Sequence, residues 1–361
     1  RIAPPRKRGC HACVRRLLSS MGNFLDTPIT EKETEVGEDE SKGFCYGLSA
    51  MQGWRSHMED DHIHLLTLSP ELPHLSLFGI FDGHGGEMVA HYIAQHFPEH
   101  LLRTNKLTAD QSKIETQAKE AFEAALMAID AEMRALPDVE TGKDQSGSTA
   151  VMTLLSPTHL ICSNTGDSRA VLSRAGEAVA LSDDHKPDNA EEKERVLAAG
   201  GEVKFGRVNG DLAVSRAVGD FVYKRCETQP AERQAVTAFP EIRAFERHAD
   251  DEFVVLACDG IWDVMSSQQV VSKVSEWLQH GRPPPPAPAA DEDAADPPAE
   301  PQPPPRPWDI GAVCEALIDH CLELGSRDNM SVAIVLLKPG LKPTPDTPAA
   351  LPPPPAATNM D

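Results

Sequence analysis

Hydrophobic residues form short continuous runs in some parts of this chain and recur with helical spacing in other, longer stretches. We expect strands at the first three runs, 44–49, 63–68 and 75–81. Two helices should follow, at 86–102 and 110–136, and Pro98 should kink or stop the first of them. The early pattern therefore predicts a group of strands followed by a pair of helices.

A block of short strands occupies the middle of the chain. It comprises the runs 149–155, 159–163, 168–173 and 178–181. The links between these runs are short and rich in Gly, Asp, Asn and Pro, which is typical of turns. Because parallel neighbours would need long crossover connections, these strands should pair antiparallel.

Downstream, helix and strand patterns occur one at a time. We expect helices and strands at five segments: helices at 190–199, 268–278 and 308–324, and strands at 253–258 and 331–337. Residues 205–238 follow neither period. Their irregular, polar composition predicts a mobile loop or flap.

Three segments lack a folding pattern. Residues 1–43 join a basic stretch to an acidic linker, 282–307 is an insert rich in Pro and acids, and 339–361 is a Pro-rich tail. We expect these segments to be disordered and residues 44–338 to form one domain, with the insert as a surface loop. The PxxP spacing of the insert fits an SH3- or WW-type partner, and a passive spacer is the alternative.

The first residues carry two incomplete motifs. Cys10 and Cys13 have CxxC spacing, but no second ligand pair follows as a zinc site requires. The segment after Met21 is close to an N-myristoylation signal on Gly22, with Asp26 in place of the expected Ser or Thr. We expect a cytoplasmic or nuclear protein, with membrane association only if Gly22 is myristoylated.

Composition narrows the class of protein. Of the 361 residues, 40% are hydrophobic and 25% are charged, which is ordinary for a globular domain. The formal net charge of -22 argues against nucleic acid as a partner, since such binding favours basic surfaces. No apolar run is long enough to span a bilayer. The 8 cysteines are scattered, so we expect reduced thiols rather than a disulfide framework.

Two strand ends carry the most distinctive chemistry. The apolar run 76–81 ends abruptly in Asp82-Gly83-His84, and the run 253–258 ends in Asp259 followed by glycine. One Asp-Gly pair at a strand end is equally well explained as an ordinary turn. Two such pairs, with more acids elsewhere, indicate carboxylates that converge on a hard metal ion.

Further carboxylates follow or open strands, or occupy turns, along the whole chain. The full set of candidate metal ligands has seven carboxylates: Glu59, Asp60, Asp82, Asp167, Asp259, Asp263 and Asp328. Oxygen ligands without a matching His or Cys set favour Mg²⁺ or Mn²⁺ over zinc. Two such ions can clamp a phosphoryl group and activate a shared water.

Two other side chains complete the candidate chemistry. Arg55 precedes the Glu59 pair and could grip phosphate, since guanidinium binds it bidentately. A plain surface arginine is the alternative. His84, beside Asp82, could protonate a leaving oxygen. A structural hydrogen bond in the glycine-rich turn is the alternative role for His84.

Seven segments, in order, resemble the motif set of the metal-dependent type 2C serine/threonine protein phosphatases, the PPM family. They are GWRSHMEDDH (53–62), LFGIFDGHGG (77–86), DQSGSTA (144–150), NTGDSRAVL (164–172), NGDLAVSRAVGDF (209–221), LACDGIWDVM (256–265) and GSRDNMSV (325–332). Each motif is weak alone, but the ordered set is specific. The resemblance implies an α+β fold: a four-layer α-β-β-α sandwich of two antiparallel sheets flanked by helices.

The resemblance also implies a role for each candidate metal ligand. Asp82 would bridge two Mn²⁺ or Mg²⁺ ions. Gly83, through its carbonyl, and Glu59 would bind one ion, while Asp259 and Asp328 would bind the other. These assignments follow from the matching motif positions alone.

The remaining assignments concern catalysis and a third ion. By resemblance, Asp60 would sit in the ligand set and orient water. Arg55 would hold the phosphate, and His84 would be the general acid. Asp167 and Asp263 match a looser third metal position, and the 205–238 segment matches the flap of the family.

The function implied by the resemblance is hydrolysis of phosphoserine and phosphothreonine in phosphoproteins, by attack of a water that bridges the two ions. We expect a monomer. One alternative is a non-catalytic regulator with the same fold that binds phosphoproteins. A second is a phosphatase for small phosphate esters. A metal-binding structural protein would leave Arg55 and His84 unexplained.

Overall fold

The computed structural model describes residues 24–280 and 310–337. The predicted insert and Pro-rich tail, the CxxC pair and Gly22 lie outside these residues, so those predictions stay open. Within the described ranges, Cys162, Cys226, Cys258 and Cys321 are free thiols. Within the same ranges, no helix has both the length and the apolar character needed to cross a membrane.

The described residues form sixteen strands and seven α-helices. The strands are β1 (Phe24–Asp39), β2 (Phe44–Arg55), β3 (Asp61–Leu65), β4 (Ser76–Phe81), β5 (Gly83–His84), β6 (Gly147–Ser148), β7 (Ala150–Leu155), β8 (His159–Thr165), β9 (Arg169–Arg174), β10 (Glu177–Ala180), β11 (Val203–Lys204), β12 (Arg207–Val208), β13 (Val218–Gly219), β14 (Glu241–Glu246), β15 (Asp251–Ala257) and β16 (Met330–Leu336). The helices are α1 (Met88–Arg103), α2 (Ile114–Arg134), α3 (Pro137–Glu140), α4 (Ala190–Ala198), α5 (Asp259–Trp262), α6 (Ser267–His280) and α7 (Ile310–Glu323). Single 3₁₀ turns span Gln111–Lys113, Phe221–Tyr223 and Ala231–Arg233.

Two antiparallel sheets stack face to face. One has six strands in the order β1-β2-β16-β15-β9-β10, and the other has five in the order β14-β8-β7-β4-β3. Side chains from both sheets bury one hydrophobic cluster between them. Helices α1 and α2 cover the outer face of the five-stranded sheet, and α6 and α7 cover that of the six-stranded sheet. The predicted four-layer sandwich is confirmed.

The layered architecture explains the continuous apolar run of β4. Leu77 and Phe81 pack toward the helices, whereas Phe78 and Ile80 pack between the sheets. Successive side chains of a strand point to opposite faces, so a strand with a layer on each side must be apolar at every position. The run 76–81 is therefore hydrophobic throughout instead of alternating.

Strand β1 corrects the predicted acidic linker. Residues 24–39 lie in the segment that was predicted to be disordered, but they form a strand that pairs antiparallel with β2. This strand lies at the edge of the six-stranded sheet. An edge strand is held by main-chain hydrogen bonds and can carry charged side chains such as Lys32 and Glu33, which also block further pairing. Because its sequence is polar, β1 could not be recognised as a strand from the hydrophobic pattern.

Helix α1 does not end at Pro98, contrary to one of the two predicted outcomes. It continues to Arg103. Phe97 and Leu101 beside the proline are fully buried against the core. That burial outweighs the hydrogen bond that a proline removes from a helix interior. The sequence analysis also missed β14, an edge strand in which three of the six residues are charged.

Residues 205–238 contain little regular structure, as predicted, but they pack around a small hydrophobic cluster that includes Val208, Val214 and Val236. The segment is tied to α4 by a buried ion network. Arg216 Nη2 lies 2.7 Å from Glu192 Oε1. Although burial opposes it, the hydrogen bonds and charges of Arg216 and Arg195 lower the pKa of Glu192 to about 2.

Candidate metal centre and active site

The ends of several strands meet at one end of the sandwich. Strand β15 ends at Ala257 opposite Val332, near the start of β16. Strand β4 ends at Phe81 opposite Asp61, the first residue of β3. Antiparallel pairing places the end of one strand beside the start of the next. Side chains just beyond these ends are therefore brought together from distant parts of the sequence.

A dense group of carboxylates occupies this position. Burial raises the pKa of Asp82 well above its ordinary value, and the nearby charges of Asp259, Asp60, Asp167 and Asp328 raise it further. Burial also raises the pKa of Asp259 well above its ordinary value, and the charges of Asp167, Asp328 and Asp263 raise it further. Carboxylates this close repel one another unless a cation or a proton compensates them. The group therefore has the electrostatic character of a cation site.

Asp60 supplies the most direct test of fit to a metal ion. It is buried, and its Oδ2 accepts a hydrogen bond from Ser331 Oγ at 2.7 Å. Its Oδ1 is buried and has no hydrogen-bond partner. Burial raises the pKa of Asp60 to about 7. A buried oxygen without a donor is costly, and a hard cation would satisfy it.

Gly83 allows two main-chain segments to approach closely. A Cβ atom at this position would lie 2.1 Å from the carbonyl oxygen of Glu59, so only glycine fits. Asn329 holds the opposite side of the same segment, because its Oδ1 accepts the N–H of Glu59 at 3.0 Å and its Nδ2 donates to the carbonyl of His57 at 3.0 Å. Asn329 was not assigned a role from sequence, although it follows Asp328 directly.

Arg55, the last residue of β2, lies at the edge of the acidic group. Its Nη2 donates to Asp328 Oδ2 at 2.6 Å. Burial lowers the pKa of Arg55, but the charges of Asp328, Asp82 and Asp259 outweigh this and raise it. The alternative of an isolated surface arginine does not describe this environment.

His84 is held by a partner that the sequence did not reveal. Its Nε2 lies 2.7 Å from Asp220 Oδ2, and the Asp220 side chain is buried. Burial lowers the pKa of His84, but the charge and hydrogen bond of Asp220 outweigh this and raise it. Gly147 makes room for the pair, since a Cβ there would lie 2.2 Å from Asp220 Oδ2. Asp220 stands in the segment 209–221 that carried part of the resemblance.

Asp167 and Asp263 form the outer part of the acidic group. Asp167 is buried and pairs with Lys186, another residue without a predicted role. Asp263 is exposed. Partial loss of solvent around its carboxyl group, with the charges of Asp167 and Asp328, nevertheless raises the pKa of Asp263 against the opposing charge of Lys186. The structure thus brings these two candidates to the same centre as Asp259.

The candidate metal ligands and catalytic residues predicted from sequence all lie in this one region. They are Arg55, Glu59, Asp60, Asp82, Gly83, His84, Asp167, Asp259, Asp263 and Asp328. Such an arrangement can bind divalent cations through oxygen, grip an anion through Arg55 and supply a proton from His84.

Comparison with known proteins gives a consistent match. The family profile described as Protein phosphatase 2C matches residues 44–330. A probable protein phosphatase 2C of Caenorhabditis elegans is 43% identical over 329 residues, which cover 90% of this chain and 82% of that protein. Protein phosphatase 1B of Rattus norvegicus is 41% identical over 321 residues, which cover 87% of this chain and 75% of that protein.

The fold agrees with a solved structure. The crystal structure of a phosphatase from Toxoplasma gondii has a TM-score of 0.66 and 25% sequence identity with this chain, and it covers 86% of this chain and 96% of its own. The layered fold, the profile match and the similarity to these relatives agree with one another. The chain therefore belongs to the protein phosphatase 2C family.

Proposed function

We propose that this protein is a Mn²⁺- or Mg²⁺-dependent phosphatase that hydrolyses phosphoserine and phosphothreonine in proteins. The observation that supports it best is the buried group of carboxylates around Asp82, in which burial and mutual repulsion raise the pKa values. Such a group is unfavourable on its own and becomes favourable once divalent cations neutralise it. Membership of the protein phosphatase 2C family supports the reaction class.

By the motif resemblance, the candidate ligands would divide into two groups around Asp82. Glu59 and the Gly83 carbonyl would hold one ion on one side, and Asp259 and Asp328 would hold the other. Asp60, with its unpaired Oδ1, would belong to the same set, and Asp167 with Asp263 would hold a third ion. Bound ions would lower the pKa of a water molecule and offset charge on the phosphate.

The side chains of this chain would carry the remaining steps. Arg55 would bind the phosphoryl oxygens through its forked guanidinium, which in this structure pairs with Asp328. The pKa of His84 is raised by Asp220, so the imidazolium persists toward neutral pH. It would donate its proton to the serine or threonine oxygen as the P–O bond breaks.

The proposed metal dependence predicts that chelation will remove activity. A phosphothreonine peptide should be hydrolysed in Mn²⁺ or Mg²⁺, not after treatment with a chelator, and again when the metal is restored. Equal rates before and after chelation would contradict the proposal. Phosphopeptide binding without turnover in metal would favour the non-catalytic regulator. A much higher kcat/KM for a small phosphate ester would favour the second alternative.

Asp220 should act as a positioning residue for His84. We expect Asp220→Asn to lower kcat about 10- to 100-fold, part of what a general acid contributes. Because loss of the Asp220 charge lowers the pKa of His84, the decline of activity at high pH should begin at a lower pH. The pH profile of kcat measures both effects. Asp211→Asn, in the same segment and exposed, should behave like the parent protein, and an unshifted profile for Asp220→Asn would contradict the role.

A further inference from the structure

We propose that Glu35, His62 and His64 form a second metal site, for a divalent transition ion of the zinc class, separate from the acidic centre. None of the three is a candidate ligand of the proposed Mn²⁺ or Mg²⁺ site. The sequence pattern gave no sign of the group, because Glu35 lies in the segment that was predicted to be a linker. The inference goes beyond the proposed phosphatase function and does not depend on it.

The geometry of the three side chains suits a shared ion. Glu35 Oε1 lies 3.5 Å from His62 Nε2, and Glu35 Oε2 lies 3.0 Å from His64 Nε2. One ligand atom from each residue lies within 4.8 Å of the other two. Four-coordinate zinc has bonds of about 2.0–2.1 Å to nitrogen, which places ligand atoms about 3.3 Å apart. Only small side-chain movements would therefore close the site.

The fold explains why these residues meet. Strand β1 is the edge of the six-stranded sheet, and β3 is the edge of the five-stranded sheet. His62 and His64 occupy alternate positions of β3, so they share one face, while Ile63 packs into the helix-covered cluster on the other. The two histidines thus face the rim between the sheets, where Glu35 reaches them from β1.

One ligand is held in place by packing. The His64 ring packs against Tyr46 of β2, with ring centroids 5.3 Å apart. The side chains of His62, His64 and Glu35 are 18%, 29% and 52% exposed, so an ion and water can reach the group. An imidazole that is partly fixed by packing and also open to solvent suits a metal site in which water fills the remaining coordination positions.

The donor types distinguish this site from the acidic centre. Two imidazoles with one carboxylate suit zinc and similar transition ions, whereas Mg²⁺ prefers oxygen ligands alone. The simpler alternative is a pair of His–Glu ion pairs with no ion, which would bind no additional zinc.

Metal binding would have a structural consequence. An ion on these residues would link the edge strands of the two sheets and hold β1, whose exposed side chains are mostly polar, against β3. A ligand that binds only the folded state raises its stability. The site therefore has two readouts that are independent of phosphatase activity, namely zinc content and thermal unfolding.

The test uses the full, tag-free chain carrying Cys10→Ser and Cys13→Ser, so that the N-terminal thiols cannot bind zinc. Each protein is dialysed in excess Mg²⁺ against buffered micromolar Zn²⁺, and zinc is measured by mass spectrometry. The parent should hold about one zinc more than its Glu35→Gln or His64→Ala form, with affinity reduced at least about 10- to 100-fold in both. Any zinc at the acidic centre is common to all forms and cancels in the difference.

Glu33→Gln is the matched control, since it removes a carboxylate two positions earlier on β1 and should keep the parent's zinc content. Added Zn²⁺ should raise the unfolding temperature of the parent and the control, but not of the other two variants. Equal zinc content and equal thermal shifts in all forms would overturn the proposal and leave ordinary ion pairs. Should His64→Ala fail to fold, Glu35→Gln decides the outcome, because Glu35 is half exposed.

Discussion

Replacement of Asp82 by asparagine should abolish turnover. By the resemblance to the family, Asp82 would join the two groups of candidate ligands, and in the structure its charge interacts with Asp259, Asp60, Asp167 and Asp328. Metal ions contribute several kcal/mol of transition-state stabilisation, so loss of the central carboxylate should lower kcat about 100- to 1000-fold. Steady-state assays of a phosphothreonine peptide in Mn²⁺ measure the change. Retention of more than a few per cent of the activity would contradict the bridging role.

Folding of the variant provides an internal control. Because burial and neighbouring charges raise the pKa of Asp82, its ionised form is unfavourable in the metal-free protein at neutral pH. Asp82→Asn should therefore leave the unfolding free energy of the chelated protein equal or higher. Metal should stabilise the variant less than the parent. Asp61→Asn, a neighbouring carboxylate that instead pairs with His91, should keep most of the activity.

Replacement of Asp130 by asparagine should strongly destabilise the fold. Asp130 Oδ1 accepts hydrogen bonds from Lys224 Nζ at 2.7 Å and from the N–H of Gly219 at 2.8 Å. Both charged side chains are buried. Breaking a buried ion pair leaves an uncompensated charge and costs about 3–5 kcal/mol. Denaturant unfolding of the two proteins measures the difference in unfolding free energy.

A surface ion pair in which one partner lies on the same helix is the control. Lys106 and Glu120 are 2.8 Å apart, with side chains 47% and 51% exposed. Glu120→Gln should cost less than about 1 kcal/mol, since exposed pairs contribute little. Asp130→Asn should also lower activity, because Gly219 and Lys224 flank Asp220, the partner of His84. Equal stability losses in Asp130→Asn and Glu120→Gln would contradict the assigned role of the buried pair.

The parts of the fold that could be predicted are those in which side-chain chemistry reports burial. The run 76–81 is apolar at every position because it lies between a sheet and a helix layer. The short turns between strands 149–181 left only antiparallel pairing, and the two sheets are antiparallel. The helix predicted at 110–136 forms as α2, and its Phe122 and Leu126 pack into the core.

Other elements carry no such signal. Strands β1 and β14 lie at sheet edges, where main-chain hydrogen bonds hold the strand and exposed side chains can be polar. Their sequences therefore resemble loops. Helix α1 passes through Pro98 because its neighbours are buried, which is a property of the whole packing and not of the local sequence.

The candidate site, too, could be predicted only in part from the sequence. The acids at strand ends, the glycines beside them and Arg55 were recognisable from residue type and local position. The partners that hold them were not, because each pair spans a long separation: 136 residues for His84 and Asp220, and 270 for Glu59 and Asn329. No local pattern encodes such a contact.

By itself, the sequence determined the chemistry that is available: which strands are buried, where carboxylates and glycines stand at their ends, and that oxygen ligands dominate. The tertiary structure decided which of these groups meet. Closure of two antiparallel sheets brings strand ends together from the whole chain, and with them the unpaired oxygen of Asp60 and the support of Asp220 for His84. It also brings Glu35 to two histidines across the rim, since strand pairing and sheet stacking, not spacing along the chain, set those distances.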